Sequence, residues 1–430
     1  MLGLTGRQTV HTFVSLFIIS LNKINEMNRH ILTIFLAATS FISNAQTTAV
    51  DTTTSNTYLN TANRMMQTDR KLTIGGYAQI DYNQPFGSGI YNNGTLDVHR
   101  LVLLFGYKFN NRTQFITEIE VEHVKEIFVE QAFLDYRINN YMNLRAGLML
   151  IPMGIVNEYH EPPTFSGVER PMLDKYIVPT TWRELGIGLT GNLTNANLRY
   201  QAYIVNGFAS YNDGPTLRGS DALRKGRQKG AESFMSSPNF TAKVEYYGFR
   251  GLNLGISGYV GNTQSTMYNG LEKSNADAVA QADSSVVGIS MVGLDARYNV
   301  NGVMIRGQLN IAGISNTEQY NFVSNPDDKI NNLGSALFGY YIEAGYNVFH
   351  MAANIKTELI PFIRYSELDT HHKVAGEIEK NDAYHRTIIT TGLGWKLSPG
   401  AILKADMQFM KTKADDSFNT VFNAGVGIWF

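Results

Sequence analysis

The sequence predicts an all-β chain folded as a sixteen-stranded antiparallel transmembrane β-barrel. Three observations carry that prediction. From Lys71 onward apolar and polar residues alternate with period two almost everywhere, with no sustained helical period. Short turns alternate with long loops along the chain. The chain stops on an amphipathic strand, Val426-Gly427-Ile428-Trp429-Phe430, whose open edge is satisfied when it pairs with the first strand.

Composition agrees. The 430 residues contain 39 Gly, 23 Tyr and 23 Phe, no Cys, and carry a formal net charge of -1. Mean hydropathy is -0.17, as expected when lipid-facing and water-facing side chains alternate. No stretch reaches the roughly 20 apolar residues a membrane helix needs. The absence of cysteine excludes a disulfide scaffold, a thiolate metal site, a cysteine nucleophile and a lipidated cysteine. Near-neutrality argues against nucleic acid as a partner.

Ahead of the strands lies an export signal. Met27-Asn28-Arg29-His30 is a basic head, Ile31 to Ile42 an apolar run, and Ser43-Asn44-Ala45 a small-residue exit with cleavage expected after Ala45. Residues 1–45 therefore form the signal region. Met27 is the expected start; the alternative is one long signal that includes Phe13 to Leu21. Residues 46–70, rich in Thr and Asn, read as a flexible periplasmic segment. Residues 71–430 form the barrel.

The strands are expected at 71–83, 96–109, 112–122, 127–138, 142–149, 183–191, 196–206 and 239–248. The second half follows at 251–260, 286–298, 302–313, 336–348, 354–366, 384–396, 400–411 and 418–430. Most are long enough for a tilted strand to cross a bilayer. Turns at Asn110-Asn111, Asn139-Asn140, Thr194-Asn195, Arg250-Gly251, Asn301-Gly302, His350 to Ala353 and Ser398-Pro399-Gly400 mark the periplasmic rim. The other rim carries long loops at 84–95, 150–182, 207–238, 261–285, 314–335 and 367–383, with brief joins near 123–126 and 412–417. A soluble sandwich gives no reason for such alternation. Tyr107, Phe109, Tyr136, Tyr340, Tyr341, Trp395 and Phe409 lie near strand ends, where interfacial girdles form.

Alternation assigns Phe422, Ala424, Val426 and Ile428 to lipid, with Asn423, Gly425 and Gly427 facing the lumen. The same phase places Arg100, Lys108, Arg145, Arg199, Lys243, Arg297, Arg306, Lys356, Arg364, Arg386, Lys396 and Lys404 inside. Asp81, Glu118, Glu120, Glu122, Glu184, Glu245, Asp295, Glu343, Glu358 and Asp406 join them. Unpaired buried charge costs several kcal/mol, so such a lumen is expected to hold water and act as a passive pore. Any one of these residues can equally be a wall ion pair. Glu118, Glu120 and Glu122 share one strand face. They form either half of a transverse field or partners for Arg100, Lys108 and Arg145.

The join at 150–182 contains Pro152, Pro162-Pro163, Pro171, Pro179, Tyr159, Phe165 and Tyr176. That content lets it pack inside the barrel as an inward-folded third loop. Arg218, Arg224, Lys225, Arg227 and Lys229 give the loop at 207–238 a basic cluster. This cluster either gathers anions at the mouth or is solvated and in contact with lipopolysaccharide.

The segments Gly154-Ile155-Val156-Asn157-Glu158-Tyr159-His160-Glu161-Pro162-Pro163-Thr164-Phe165, Val168-Glu169-Arg170-Pro171 and Pro179-Thr180-Thr181-Trp182-Arg183-Glu184-Leu185-Gly186 resemble the third-loop region of the phosphate-selective porin O and P family. The versions in Bacteroidetes are the most similar, and Gly75-Gly76-Tyr77-Ala78-Gln79 fits as well. The terminal Phe430 also resembles the signal that outer-membrane barrels present to their assembly machinery. The resemblance implies an outer-membrane porin, usually a homotrimer, with an Arg- and Lys-lined path for anions in which Arg183 takes part. This third loop departs from a strongly basic constriction, setting Glu158, Glu161, Glu169 and Asp174 against Arg170 and Lys175.

The expected constriction residues are thus Glu158, His160, Glu161, Glu169 and Arg170, and Glu184 joins Arg183 on the pore wall. Outer-membrane lipid, lipopolysaccharide and small solutes are the expected partners, with no cofactor and no metal. Two rival functions stand beside the porin. One is a barrel enzyme using Glu158, His160 and Glu161 or the His371-His372 pair, although no HExxH or GxSxG signature is present. The other is an adhesin acting through its loops.

Overall fold

The computed structural model of the protein describes residues 60–87, 91–323, 330–352 and 354–430. The expected signal, its cleavage point and residues 46–59 lie outside the described residues.

The chain forms a closed antiparallel barrel of sixteen strands. The first half comprises β1 (Leu72–Phe86), β2 (Thr95–Lys108), β3 (Thr113–Glu122), β4 (Glu126–Asn139), β5 (Met142–Leu150), β6 (Arg183–Leu193), β7 (Leu198–Val205) and β9 (Asn239–Phe249). The second comprises β10 (Leu252–Asn262), β12 (Gly288–Val300), β13 (Val303–Ser315), β14 (Ala336–Tyr346), β15 (Glu358–Lys373), β16 (His385–Ser398), β17 (Ala401–Thr412) and β18 (Asn419–Trp429). Two short strands in the long loops, β8 (Ala209–Tyr211) and β11 (Gln264–Ser265), pair in parallel outside the barrel. All sixteen predicted strands are present. Closure is between β18 and β1, with Trp429 opposite Tyr77. Phe430 N donates to Gly76 O and Gly76 N to Phe430 O, each at 2.9 Å, so the terminal aromatic extends the seam.

The short turns form for identifiable reasons. Asn301 and Gly302 both have positive φ, 51° and 78°, the twist that a two-residue hairpin turn requires between Val300 and Val303. The Asn110 side chain accepts from Arg112 N and Thr113 N, at 2.8 and 2.9 Å, and replaces the ladder bonds lost at the turn.

Outside, Ile80, Leu101, Leu103, Leu134, Ile187, Ile256, Ile342, Ile363, Leu393, Trp395 and Ile428 are exposed. A soluble protein does not leave such a belt open to water, whereas a bilayer covers it. Among the described residues no helix is long and apolar enough to cross a membrane.

Four expectations are corrected here. Thr61–Met66 is a helix with Ala62 and Met65 buried, so part of the segment expected to be flexible is structured. Thr61 N and Oγ1 both donate to Glu161 Oε1 at 2.7 Å, which ties this helix to the third loop. Lys356 precedes β15, which starts at Glu358, and is exposed on the short-turn rim instead of lining the lumen. That strand also runs on to Lys373, taking in residues expected in the 367–383 loop. Tyr341 is buried inside while Tyr340 faces outward, because adjacent strand residues cannot both join an outer girdle.

Candidate functional site

Residues 151–182 cross the interior of the barrel, as the anchors from opposite walls show. On β9, Lys243 Nζ donates to Gly154 O at 2.9 Å and lies 2.6 Å from Glu158 Oε2 and 3.0 Å from Asp295 Oδ2 of β12. On β13, Gln308 Oε1 accepts from Ile155 N at 2.7 Å, and Arg306 donates to Thr164 O at 2.8 Å. Arg364 on β15 donates to Glu169 O at 3.1 Å. On β17, Lys404 donates to Phe165 O and Gly167 O at 2.8 Å each, while Asp406 accepts from Val168 N at 2.7 Å. Gln79 of β1 reaches Val168 O at 3.3 Å, and Asn83 reaches Glu169 Oε1 at 3.0 Å. The inward charges were expected to need water. Many are instead buried against the carbonyls and carboxylates of this loop, which supply the bonds that water would give.

The loop's root is apolar. Trp182 stacks on Phe208 with centroids 4.6 Å apart and tilts against Tyr259 at 4.9 Å, all three buried. Glu184 accepts from Trp182 Nε1 at 2.8 Å and from Gly207 N, so it fixes two loops and is closed off from a solute path.

A second node lies where the loop meets β3 and β4. His160 Nε2 is 3.2 Å from Glu118 Oε1 and 3.5 Å from Glu130 Oε2. Tyr77 Oη approaches the same two carboxylates at 2.9 and 3.0 Å. Gln131 donates to Glu118 Oε2 at 2.6 Å and Thr181 to Glu130 Oε1 at 2.5 Å. Glu130 is the extra residue of a bulge between Gln131 and Val129, which turns it inward beside Gln131. The sequence reading missed it as a site residue because alternation alone gives no sign of a bulge.

Two of the three glutamates in the row pair with basic side chains. Glu118 meets His160, and Glu120 lies 3.8 Å from Arg100 Nη1. Glu122 is opposite Arg100 in register. Of the other expected partners, Lys108 faces Asp69 at 3.9 Å and Arg145 bonds Asp135 at 3.1 Å. Arg297 bonds Glu245 at 2.5 Å, Arg199 lies 3.6 Å from the same carboxylate, and Arg306 and Arg364 share Glu343. Arg386 packs 4.8 Å over the Tyr176 ring of the loop.

On the long-loop side a basic cluster gathers beside β4 and β6. Arg183 shares the register phase of the outward Leu185 and Ile187, yet it is buried, 3.8 Å from Glu130 and 5.7 Å over Phe128. Lys229 lies over the same ring at 4.8 Å. Arg227 donates to Pro179 O at 2.9 Å and Thr181 O at 3.2 Å, so this part of the basic loop packs on the third loop, while Arg218 and Lys225 of the same cluster are exposed. Burial, then Arg224 and Arg183, push the Arg227 pKa down; burial, then Arg227 and Arg183, do the same to Lys229. On the third loop, Nε and Nη2 of Arg170 are buried without a protein hydrogen-bond acceptor.

At the short-turn end a cavity of about 580 Å³ is lined by Arg137, Arg145, Arg199, Glu158, Tyr159 and Glu245, among others. This cavity is a vestibule on the short-turn side of the third loop.

A closed sixteen-strand barrel with an apolar belt, a charged interior and a loop across its lumen is an outer-membrane porin, a passive path for small hydrophilic solutes. The chain belongs to the phosphate-selective porin O and P family, whose model matches residues 72–421, and its location is the bacterial outer membrane. An uncharacterized protein of Aquifex aeolicus (strain VF5) is 32% identical over 380 residues, covering 85% of this chain and 81% of that one. Among solved structures, the anion-selective porin from Comamonas acidovorans aligns with TM-score 0.52 at 13% identity, over 84% of this chain and 99% of that one. OmpF of Salmonella typhi gives 0.53 at 12% identity, over 84% and 97%. The channel DcaP of Acinetobacter baumannii gives 0.52 at 11%, over the same shares of 84% and 97%. At such identities these three share the fold.

Proposed function

We propose that this porin prefers small anions, phosphate among them, and performs no catalysis. The observation that carries the preference is the Arg170 guanidinium, buried on the constriction loop with two N–H positions free of protein acceptors. An oxyanion oxygen satisfies such donors and gains charge-assisted bonds. Arg183, Arg227 and Lys229 stand nearer the mouth, where mutual repulsion between one buried and two half-buried cations favours an incoming anion. Against catalysis, His160 is buried between two glutamates and Glu161 holds the Thr61 helix, so the two do not share access to the vestibule. We read the assembly as a homotrimer in contact with outer-membrane lipid and lipopolysaccharide, on the family relationship.

The test is the zero-current potential of reconstituted protein across a KCl gradient, with and without phosphate, for wild type and Arg170→Gln. A chloride-selective potential and a phosphate-sensitive current, both weakened in the variant, are expected. A cation-selective wild type, or selectivity untouched by Arg170→Gln, overturns the proposal.

A further inference from the structure

We propose that the mouth of the barrel carries a binding site for a borderline divalent metal ion, Zn²⁺ or its neighbours Cu²⁺ and Ni²⁺, built by Asp97, His99 and His123. One potential ligand atom from each residue lies within 4.8 Å of the other two. The Nδ1 atoms of both histidines face Asp97 Oδ2, at 2.5 Å for His123 and 3.9 Å for His99. Ligands bound at about 2.0–2.2 Å around a tetrahedral ion stand roughly 3.3 Å apart, so the two separations bracket the spacing a metal imposes. The imidazole rings are at 89° with centroids 5.4 Å apart, an arrangement that offers two nitrogens to one point without stacking.

The backbone explains the convergence. Asp97 and His99 are two residues apart near the start of β2, beside a register shift against β1. His123 and Val124 form the β3–β4 join with φ of 52° and 63°, a left-handed conformation that non-glycine residues seldom adopt. This turn brings His123 N to within 3.2 Å of His99 O and sets its ring over β2. The surroundings are mixed in charge, with Arg100, Arg170 and Arg224 also acting on His99. Asp81 lies directly opposite Asp97, a like-charge pairing that a bound cation relieves, and Glu122 Oε1 is 4.0 Å from His123 Nε2. Two imidazoles and one carboxylate select Zn²⁺, Cu²⁺ or Ni²⁺ over Mg²⁺ and Ca²⁺, which prefer all-oxygen shells. Side-chain exposures of 27% for Asp97, 30% for His99 and 47% for His123 leave a route from solvent. The buried Glu118–Glu130–His160 group lacks such access, and its polar atoms are already bonded.

The experiment is calorimetric titration of the whole chain, folded in detergent and stripped of metal, with Zn²⁺ alone. One Zn²⁺ per chain is expected. His123→Gln and His99→Gln should each weaken binding by at least about 10-fold, the scale set by losing a supporting group at a metal site. His372→Gln, on a different strand, should leave it unchanged. His123 sits in an exposed turn, and retention of the folded band on unheated gels checks that its variant is intact. Absence of Zn²⁺ binding by wild type, or equal affinity in the two ligand variants, overturns the proposal.

Discussion

Lys243 is the residue through which the docking of the third loop can be weighed. Its ammonium is 1% exposed and meets Glu158, Asp295 and Gly154 O, joining two loop groups to the β12 wall. Lys243→Met keeps most of the stem and removes the charge, leaving two carboxylates facing one another. Breaking a buried ion pair from one side costs about 3–5 kcal/mol. Glu158 keeps its bond from Gln201 Nε2 at 2.5 Å, so the lower end applies. About 3 kcal/mol lowers the docked-to-undocked ratio of this loop segment on the order of a hundredfold. Single-channel recording should then show larger or noisier open currents, accompanied by a lower Tm in detergent. Adding Asp295→Asn removes one of the stranded charges and should recover part of both effects, a coupling that a double-mutant cycle measures directly. Wild-type conductance, noise and Tm in Lys243→Met refute the anchoring role, as does an Asp295→Asn addition that recovers nothing.

Gly154 has φ of +70°, and a Cβ there would sit 2.4 Å from Gln308 Nε2. Gly154→Ala should therefore cost about 1–3 kcal/mol and raise current noise as Lys243→Met does, read by bilayer recording and melting. Gly76 lies at the seam, where a Cβ would be 2.5 Å from Val102 O and 2.8 Å from the Phe430 ring. Gly76→Val should sharply reduce the yield of closed barrel on refolding from urea, measured by the heat-modifiable band on gels.

The strands were legible because their chemistry is local. Period two, short turns such as Asn301-Gly302 and most of the apolar outer phase depend on neighbours in sequence, and the structure keeps them. The errors occur where alternation outlasts the strand or is interrupted. Ile355-Lys356-Thr357 continues the β15 pattern before the ladder begins at Glu358. The bulge at Glu130 is invisible to a period, and so is the convergence of His123 on Asp97. Partners of the lumen charges were beyond reach for another reason. Lys404 bonds a carbonyl 239 residues away, and backbone carbonyls carry no residue signature. The third loop's prolines and aromatics marked it as packed, whereas its anchoring cations could be named only as inward-facing.

This division of the lysines and arginines bears on selectivity. A count of inward residues makes the lumen nearly balanced in charge, and a balanced lumen selects weakly. The structure does not distribute the balance evenly. On the walls from β9 to β17, Lys243, Arg306, Arg364 and Lys404 donate to backbone carbonyls of the loop, and Arg306 and Arg364 share one carboxylate. Their field is met at contact distance, and their role is to hold the loop. Nearer β4 and β6, Arg183 and Lys229 share the Phe128 face, while Arg227 donates to the neutral carbonyls of Arg224, Pro179 and Thr181. Arg170 adds donors without protein acceptors. Neutral carbonyls desolvate a cation without cancelling its charge, so on the proposed reading the field at this cluster of cations is positive although the chain's net charge is -1. Selectivity in this porin therefore depends less on how many basic residues face inward than on which of them the third loop has already neutralised.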